Sequence, residues 1–177
     1  MPNISLSSRC NLHCPYCFAH ETMGAGSGDI TLENFDAALE FLTRTGPVNI
    51  GLIGGEPTLH PHFDEIVRRA VACENVAMLT VYTNGLLIEK HADALSLPKV
   101  ALLVNWNAPS ELREGAFEQI ERGVDELVFN RGMGRRINLG LNLHGETMEY
   151  GYMLDLLKRY GFDKVRISLT VPEFPEG

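Results

Sequence analysis

Three of the chain's four cysteines fall within eight consecutive positions, in the stretch SSRCNLHCPYC at residues 7–17. Their spacing is Cys10-x3-Cys14-x2-Cys17, dense enough in soft ligands to suit a metal centre. A disulfide framework fits poorly. Three is an odd number, and the opening MPNISLSS has neither the basic start nor the apolar run of a secretory signal. That favours the cytoplasm, where thiols stay reduced. Structural zinc takes four ligands, usually as two C-x2-C pairs, and here His13 or His20 would have to complete the set. A cubane iron–sulfur cluster also has four corners. Three thiolates leave one of its irons without a protein ligand, free to bind and activate a small molecule, so the missing fourth cysteine becomes the functional feature. Cys73 stands apart in a helical stretch and reads as a small buried residue.

The elements that must position these thiols alternate between period 2 and period 3.6. Strands are expected at 4–9, 48–55, 76–85, 99–107, 136–144 and 163–171. Helices are expected at 31–46, 60–72, 86–97, 110–127 and 147–161, the first capped by Thr31 and stopped by Gly46. Gly115 and Gly123 weaken the fourth helix. Strict alternation implies parallel βαβ units. Strands buried on both faces read as continuous apolar runs, but these alternate. In INLGLNLH, Ile137, Leu139, Leu141 and Leu143 oppose Asn138, Gly140, Asn142 and His144. Asn105 and Asn107 share a face with Ala101 and Leu103, and Arg166, Ser168 and Thr170 oppose Val165, Ile167 and Leu169. The apolar faces meet the helices, so the polar faces are expected to line a ligand-holding lumen, the alternative being a sheet face turned to water. The fold expected is α/β, a partial (β/α)6 TIM-like barrel. The cysteine stretch, just after the first strand, sits at the end where such barrels bind ligands.

With the stretch placed there, CNLHCPYC resembles the CX3CX2C loop of the radical S-adenosylmethionine (radical SAM) superfamily, with Tyr16 as its penultimate aromatic. GGEPTLHP is similar to that superfamily's GGEP motif at Gly54, Gly55, Glu56 and Pro57, and YTNG at 82–85 to a common third-strand ending. The cluster loop and GGEPTLHP look most like the branch of peptide-modifying, sulfatase-maturating and molybdenum-cofactor enzymes. The resemblance implies a [4Fe–4S] cluster on Cys10, Cys14 and Cys17, with SAM chelating the open iron. SAM is then reductively cleaved to a 5'-deoxyadenosyl radical that takes hydrogen from a substrate. It implies further that Gly54 and Gly55 let backbone approach the methionyl group, with Pro57 completing the turn, and that Glu56 offers a carboxylate near the ammonium. Thr83 ends the third strand. Tyr16 and Val171 face the adenine, and Asn105, Asn142 and His144 are candidates for the ribose; His144 reads equally as a rim histidine. An electron donor such as flavodoxin or ferredoxin and a small-molecule or peptide substrate are the implied partners. A zinc or iron–sulfur binding module, and a SAM-binding core without turnover, remain as alternatives.

The totals bound the rest. The 177 residues, 45% hydrophobic and 21% charged, fit one domain spanning 1–177 that buries roughly 70% of its unfolded surface. A net charge of -8 argues against nucleic acid as partner, and no apolar run reaches the ~20 residues of a membrane span. Arg135 and Arg136 read as a solvated loop, and His60, His62 and His91 as surface residues. No sixth helix is readable after 163–171, so the domain is expected to be truncated at its C-terminus. Val165, Ile167, Leu169 and Val171 are then expected to form an uncovered apolar face.

Overall fold

Alternation along each strand sorts side chains onto two faces, and the structure keeps that sorting. The computed structural model describes residues 1–17, 28–145, 149–162 and 164–170. Strands β1 (Asn3–Ser5), β2 (Val48–Ile53), β3 (Val76–Thr83), β4 (Val100–Asn105), β5 (Ile137–Leu143) and β6 (Val165–Leu169) form one sheet in the order β1-β2-β3-β4-β5-β6, every neighbouring pair parallel. Helices α1 (Leu32–Thr43), α2 (Phe63–Ala72), α3 (Ala92–Leu95), α4 (Ala116–Asp125) and α5 (Gly151–Tyr160) connect successive strands. This is the partial (β/α)6 barrel that the alternation implies. No helix among the described residues is long and apolar enough to cross a membrane.

One sheet face, with Ile50, Leu52, Leu79, Val81, Leu102, Val104 and Leu139, is fully buried in the core beside Phe35, Phe63, Ile66, Val67, Ile120 and Val124 of the helices. Each such aliphatic side chain contributes about 1.5–3 kcal/mol relative to exposure. The opposite face encloses a lumen. There Thr80, Tyr82, Leu103 and Asn138 join Lys164, Val165 and Arg166 around a cavity of about 400 Å³. Arg166 lies over the Tyr82 ring, 5.8 Å from its centroid.

Local chemistry explains where the elements depart from their expected spans. Thr31 does cap α1, its hydroxyl accepting from the Asn34 N–H at 3.1 Å. The expected helix at 110–127 is split: a short turn covers Pro109–Glu111, and α4 begins only after Gly115, whose φ of +75° belongs to the left-handed region a helix cannot pass through. The helix then widens into a π-turn at Glu126–Asn130. The stretch 86–97 is reduced to a turn at Glu89–His91 followed by the four-residue α3. Past the end of β1 at Ser5, Leu6 N–H still donates to the Ile53 carbonyl, while Ser7 also bridges antiparallel to Asp29.

Three readings of side-chain environment are corrected. His60 and His91 are buried, at 3% and 6% exposure, while His62 lies at the surface as expected. His60 Nε2 pairs with the Ile30 carbonyl at 2.8 Å, and His91 Nδ1 with the Asp64 carboxylate at 2.7 Å, partners that make burial tolerable. Arg136 is no solvated residue, since it donates to the carbonyls of Leu97, Val100 and Ser96 and so anchors the start of β4. Cys73 ends α2 and is only partly buried.

Candidate functional site

The C-terminal ends of β1 to β5 converge on one rim. After β1, the chain carrying the cysteines lies directly on the GGEP segment that follows β2. The Ser7 carbonyl accepts from the Gly55 N–H and the Arg9 carbonyl from the Glu56 N–H, both at 2.8 Å. A Cβ at Gly54 would overlap the Ser7 carbonyl oxygen. One at Gly55 would overlap the Arg9 carbonyl and stand 3.1 Å from the Cys10 Cβ. The two glycines are therefore required by the cysteine stretch itself, a close approach the sequence reading had reserved for SAM.

The neck of the cysteine loop is clasped. Ser8 N–H donates to the Gly28 carbonyl at 3.2 Å and Ile30 N–H to the Leu6 carbonyl at 2.9 Å. Arg9 reaches Asp29 through Nε (3.2 Å) and Nη2 (2.8 Å), and the same Nη2 meets the Leu59 carbonyl at 2.7 Å. Ser7 Oγ adds a 2.6 Å bond to Asp29. Burial alone would raise the Asp29 pKa, but the bonds from Ser7 and Arg9 outweigh it and hold the carboxyl below its ordinary value. His60, on the turn after GGEP, pins Ile30 from the other side.

Glu56 is 1% exposed, and its carboxylate is a hub. Oε1 accepts from the Thr58 N–H (3.1 Å), the Thr58 hydroxyl (2.6 Å) and the Thr83 hydroxyl (2.8 Å); Oε2 accepts from the Asn84 N–H (2.7 Å). These bonds tie the end of β2 to the end of β3. Burial nevertheless pushes its carboxyl above the usual range. Thr83 is equally buried, and its hydroxyl also accepts from the Gly85 N–H at 3.0 Å. Asn84 in turn donates to the Asn11 side chain at 2.7 Å, linking the β3 end to the cysteine loop.

Across the mouth, Tyr16 reaches the ends of β4 and β5. Its hydroxyl donates to Asn107 Oδ1 at 2.5 Å and interacts with the side chain of Asn142, and its ring lies 4.7 Å from that of His144. His144 Nε2 pairs with Glu111 at 3.0 Å. Asn107 Nδ2 donates to Cys14 Sγ at 3.5 Å. Burial and the neighbouring Cys14 raise the Tyr16 pKa. Asn105 turns toward β5, where a Cβ at Gly140 would overlap its Oδ1. Thus Tyr16, Asn142 and His144 are brought together, and Asn107, which in the sequence only shares Asn105's face, joins them. Glu111 was missed. Val171 lies outside the described residues.

Cys10, Cys14 and Cys17 are free and partly buried. Burial raises the Cys10 pKa, and the charges of Glu56, Cys14 and Cys17 add to that shift, so the three thiols sit within one another's field. Among the described residues, no three His, Cys, Asp or Glu side chains converge as they would around a single ion. In a cubane, each thiolate binds its own iron, so convergence on one point is not required. The donor set fits a three-cysteine [4Fe–4S] site. His13 is exposed, and His20 lies outside the described residues.

Comparison with known proteins agrees with this geometry. A family model described as the radical SAM superfamily matches residues 4–157. The GTP 3',8-cyclase of Chlorobaculum tepidum is 30% identical over 142 residues, covering 76% of this chain and 43% of that protein. The GTP 3',8-cyclase of Pelotomaculum thermopropionicum is 32% identical over 141 residues, covering 78% and 43%. The chain thus spans less than half the length of these curated relatives. Among solved structures, anSMEcpe with bound AdoMet superposes with a TM-score of 0.75 at 22% identity, over 100% of this chain and 54% of that one. Streptococcus suis SuiB bound to S-adenosylmethionine gives 0.68 at 17% identity, over 99% and 40%. The fold is shared with these structures, and by the family match over most of its length the chain belongs to the radical SAM superfamily, whose enzymes use a [4Fe–4S] cluster and SAM.

Proposed function

We propose that residues 1–177 form the radical-generating core of such an enzyme, acting on a substrate held in the barrel lumen. Cluster and SAM, when bound, supply the reductive cleavage that yields methionine and a 5'-deoxyadenosyl radical for hydrogen abstraction. The protein's part is to hold and shield. Cys10, Cys14 and Cys17 are the cluster ligands. Gly54, Gly55 and Pro57 shape the methionyl side, on a turn that Glu56 and Thr83 keep rigid. Tyr16, Asn105, Asn142 and His144 border the nucleoside side; Val171 is assigned there by resemblance alone. A flavodoxin- or ferredoxin-like protein delivers the electron.

The observation that carries the reading is the seating of residues 7–10, which lead into three free cysteines, on the GGEP backbone at the rim of a polar lumen. For the substrate, Lys164 and Arg166 at that lumen favour an anionic small molecule. A nucleoside triphosphate is the leading candidate, given the GTP 3',8-cyclase relatives. Anaerobic reconstitution tests the core. About four iron and four sulfide per chain are expected, with an EPR signal of the reduced cluster that changes on adding SAM. Cys14→Ala should abolish the cluster and Cys73→Ala should keep it. Stoichiometric zinc, or a signal indifferent to SAM, would refute the proposal.

A further inference from the structure

The contact between Asn107 and Cys14 has a chemical consequence that neither motif contains. Asn107 lies two residues past the end of β4, is 8% exposed, and stands 93 positions from the cysteine it touches. A side-chain amide can present either its oxygen or its NH2. Here its neighbours favour one orientation. The Tyr16 hydroxyl donates to Oδ1, and Tyr16 itself is held by Asn142 and by the His144 ring. The thiolate of a metal-bound cysteine has no proton to offer, so only Nδ2–H can face it. A flipped amide would set a carbonyl oxygen against a negative sulfur and leave the buried oxygen unpaired.

We infer that Asn107 donates an N–H···S hydrogen bond to the Cys14 thiolate of the cluster and thereby raises its reduction potential. The inference rests on the cluster-binding reading above. When an external low-potential donor delivers one electron, the added negative charge spreads onto the thiolate sulfurs. An N–H dipole aimed at one of them stabilises the reduced state more than the oxidised state, and hydrogen bonds to sulfur are among the terms that set cluster potentials. Tyr16 positions Asn107 by fixing which end of the amide meets the sulfur, and its own hydroxyl also lies within hydrogen-bond reach of Cys14. Asn142 and His144 extend that support to β5.

EPR-monitored potentiometry of the reconstituted protein tests this. Asn107→Leu, close in size, should retain the cluster while its midpoint moves to more negative potential and the Fe–S(Cys) stretching bands shift. Tyr16→Phe should give a smaller shift in the same direction. A second measurement needs no variant: protein labelled with 15N at asparagine should show coupling of that nitrogen to the reduced cluster. An unchanged midpoint in Asn107→Leu with its cluster intact overturns the inference, as does absence of 15N coupling in the labelled protein. Failure to assemble any four-iron cluster in the unmodified chain would instead bring down the cluster-binding reading, and this inference with it.

Discussion

At Gly55 the side chain is absent for a reason that can be located. Its Cβ position is occupied by the Arg9 carbonyl, with Cys10 Cβ beyond. Valine there forces the cysteine stretch off the GGEP backbone, breaking the Arg9–Glu56 and Ser7–Gly55 hydrogen bonds. Gly55→Val is therefore expected to lose cluster iron together with SAM affinity, and to lower Tm even without cofactors. Iron content after reconstitution decides the matter, because a glycine needed solely for SAM would leave a full cluster behind. The motif residues themselves were legible from the sequence because their spacing is local. Their contacts were not. His60 and His91 read as surface residues because histidine type says nothing about a partner, and the partners, the Ile30 carbonyl and the Asp64 carboxylate, come from other segments. Asn107 likewise meets Cys14 only once the barrel has curved.

Among the elements, the cysteine loop is set apart by its closed neck. Arg9 and Asp29 join its two ends while Leu59 and His60 brace them from the turn after β2. Because Asp29 has a depressed pKa, the clasp contributes stability that is fully present above the unfolded value, near pH 3.9, and is lost as pH falls through the lower folded value. Asp29→Asn should accordingly lower the urea midpoint at neutral pH, and the gap to the unmodified chain should narrow as pH falls below the unfolded carboxylate value. A gap that stays constant with pH would show that Asp29 acts through packing rather than charge. Helix legibility follows a similar divide. α1 is readable because its cap and apolar face are local, whereas the region of α4 is not, since the left-handed turn at Gly115 is a backbone state that periodicity does not encode.

At the scale of the molecule, the sheet carries its apolar face on to β6. Ile167 and Leu169 are 61% and 72% exposed among the described residues, alongside the well-buried faces of β2 to β5. Exposed strips of this kind favour association. Replacing both with threonine, which keeps β-propensity, should raise the concentration at which the chain stays monomeric by light scattering, with little change in Tm. A large fall in Tm would mean that the two side chains are packed in solution.

The seating of the cysteine stretch on GGEP bears on how this machinery can be moved between proteins. Residues 7–10 and 54–56 share backbone hydrogen bonds and interlocked volume, so neither has a shape of its own to transplant. A chimera that imports a foreign cysteine loop alone meets a mismatched floor. One that carries the loop together with its floor and the bracing residues Leu59 and His60 brings a complete joint. Inheritance and engineering alike must treat two motifs separated by more than thirty residues as a single cassette.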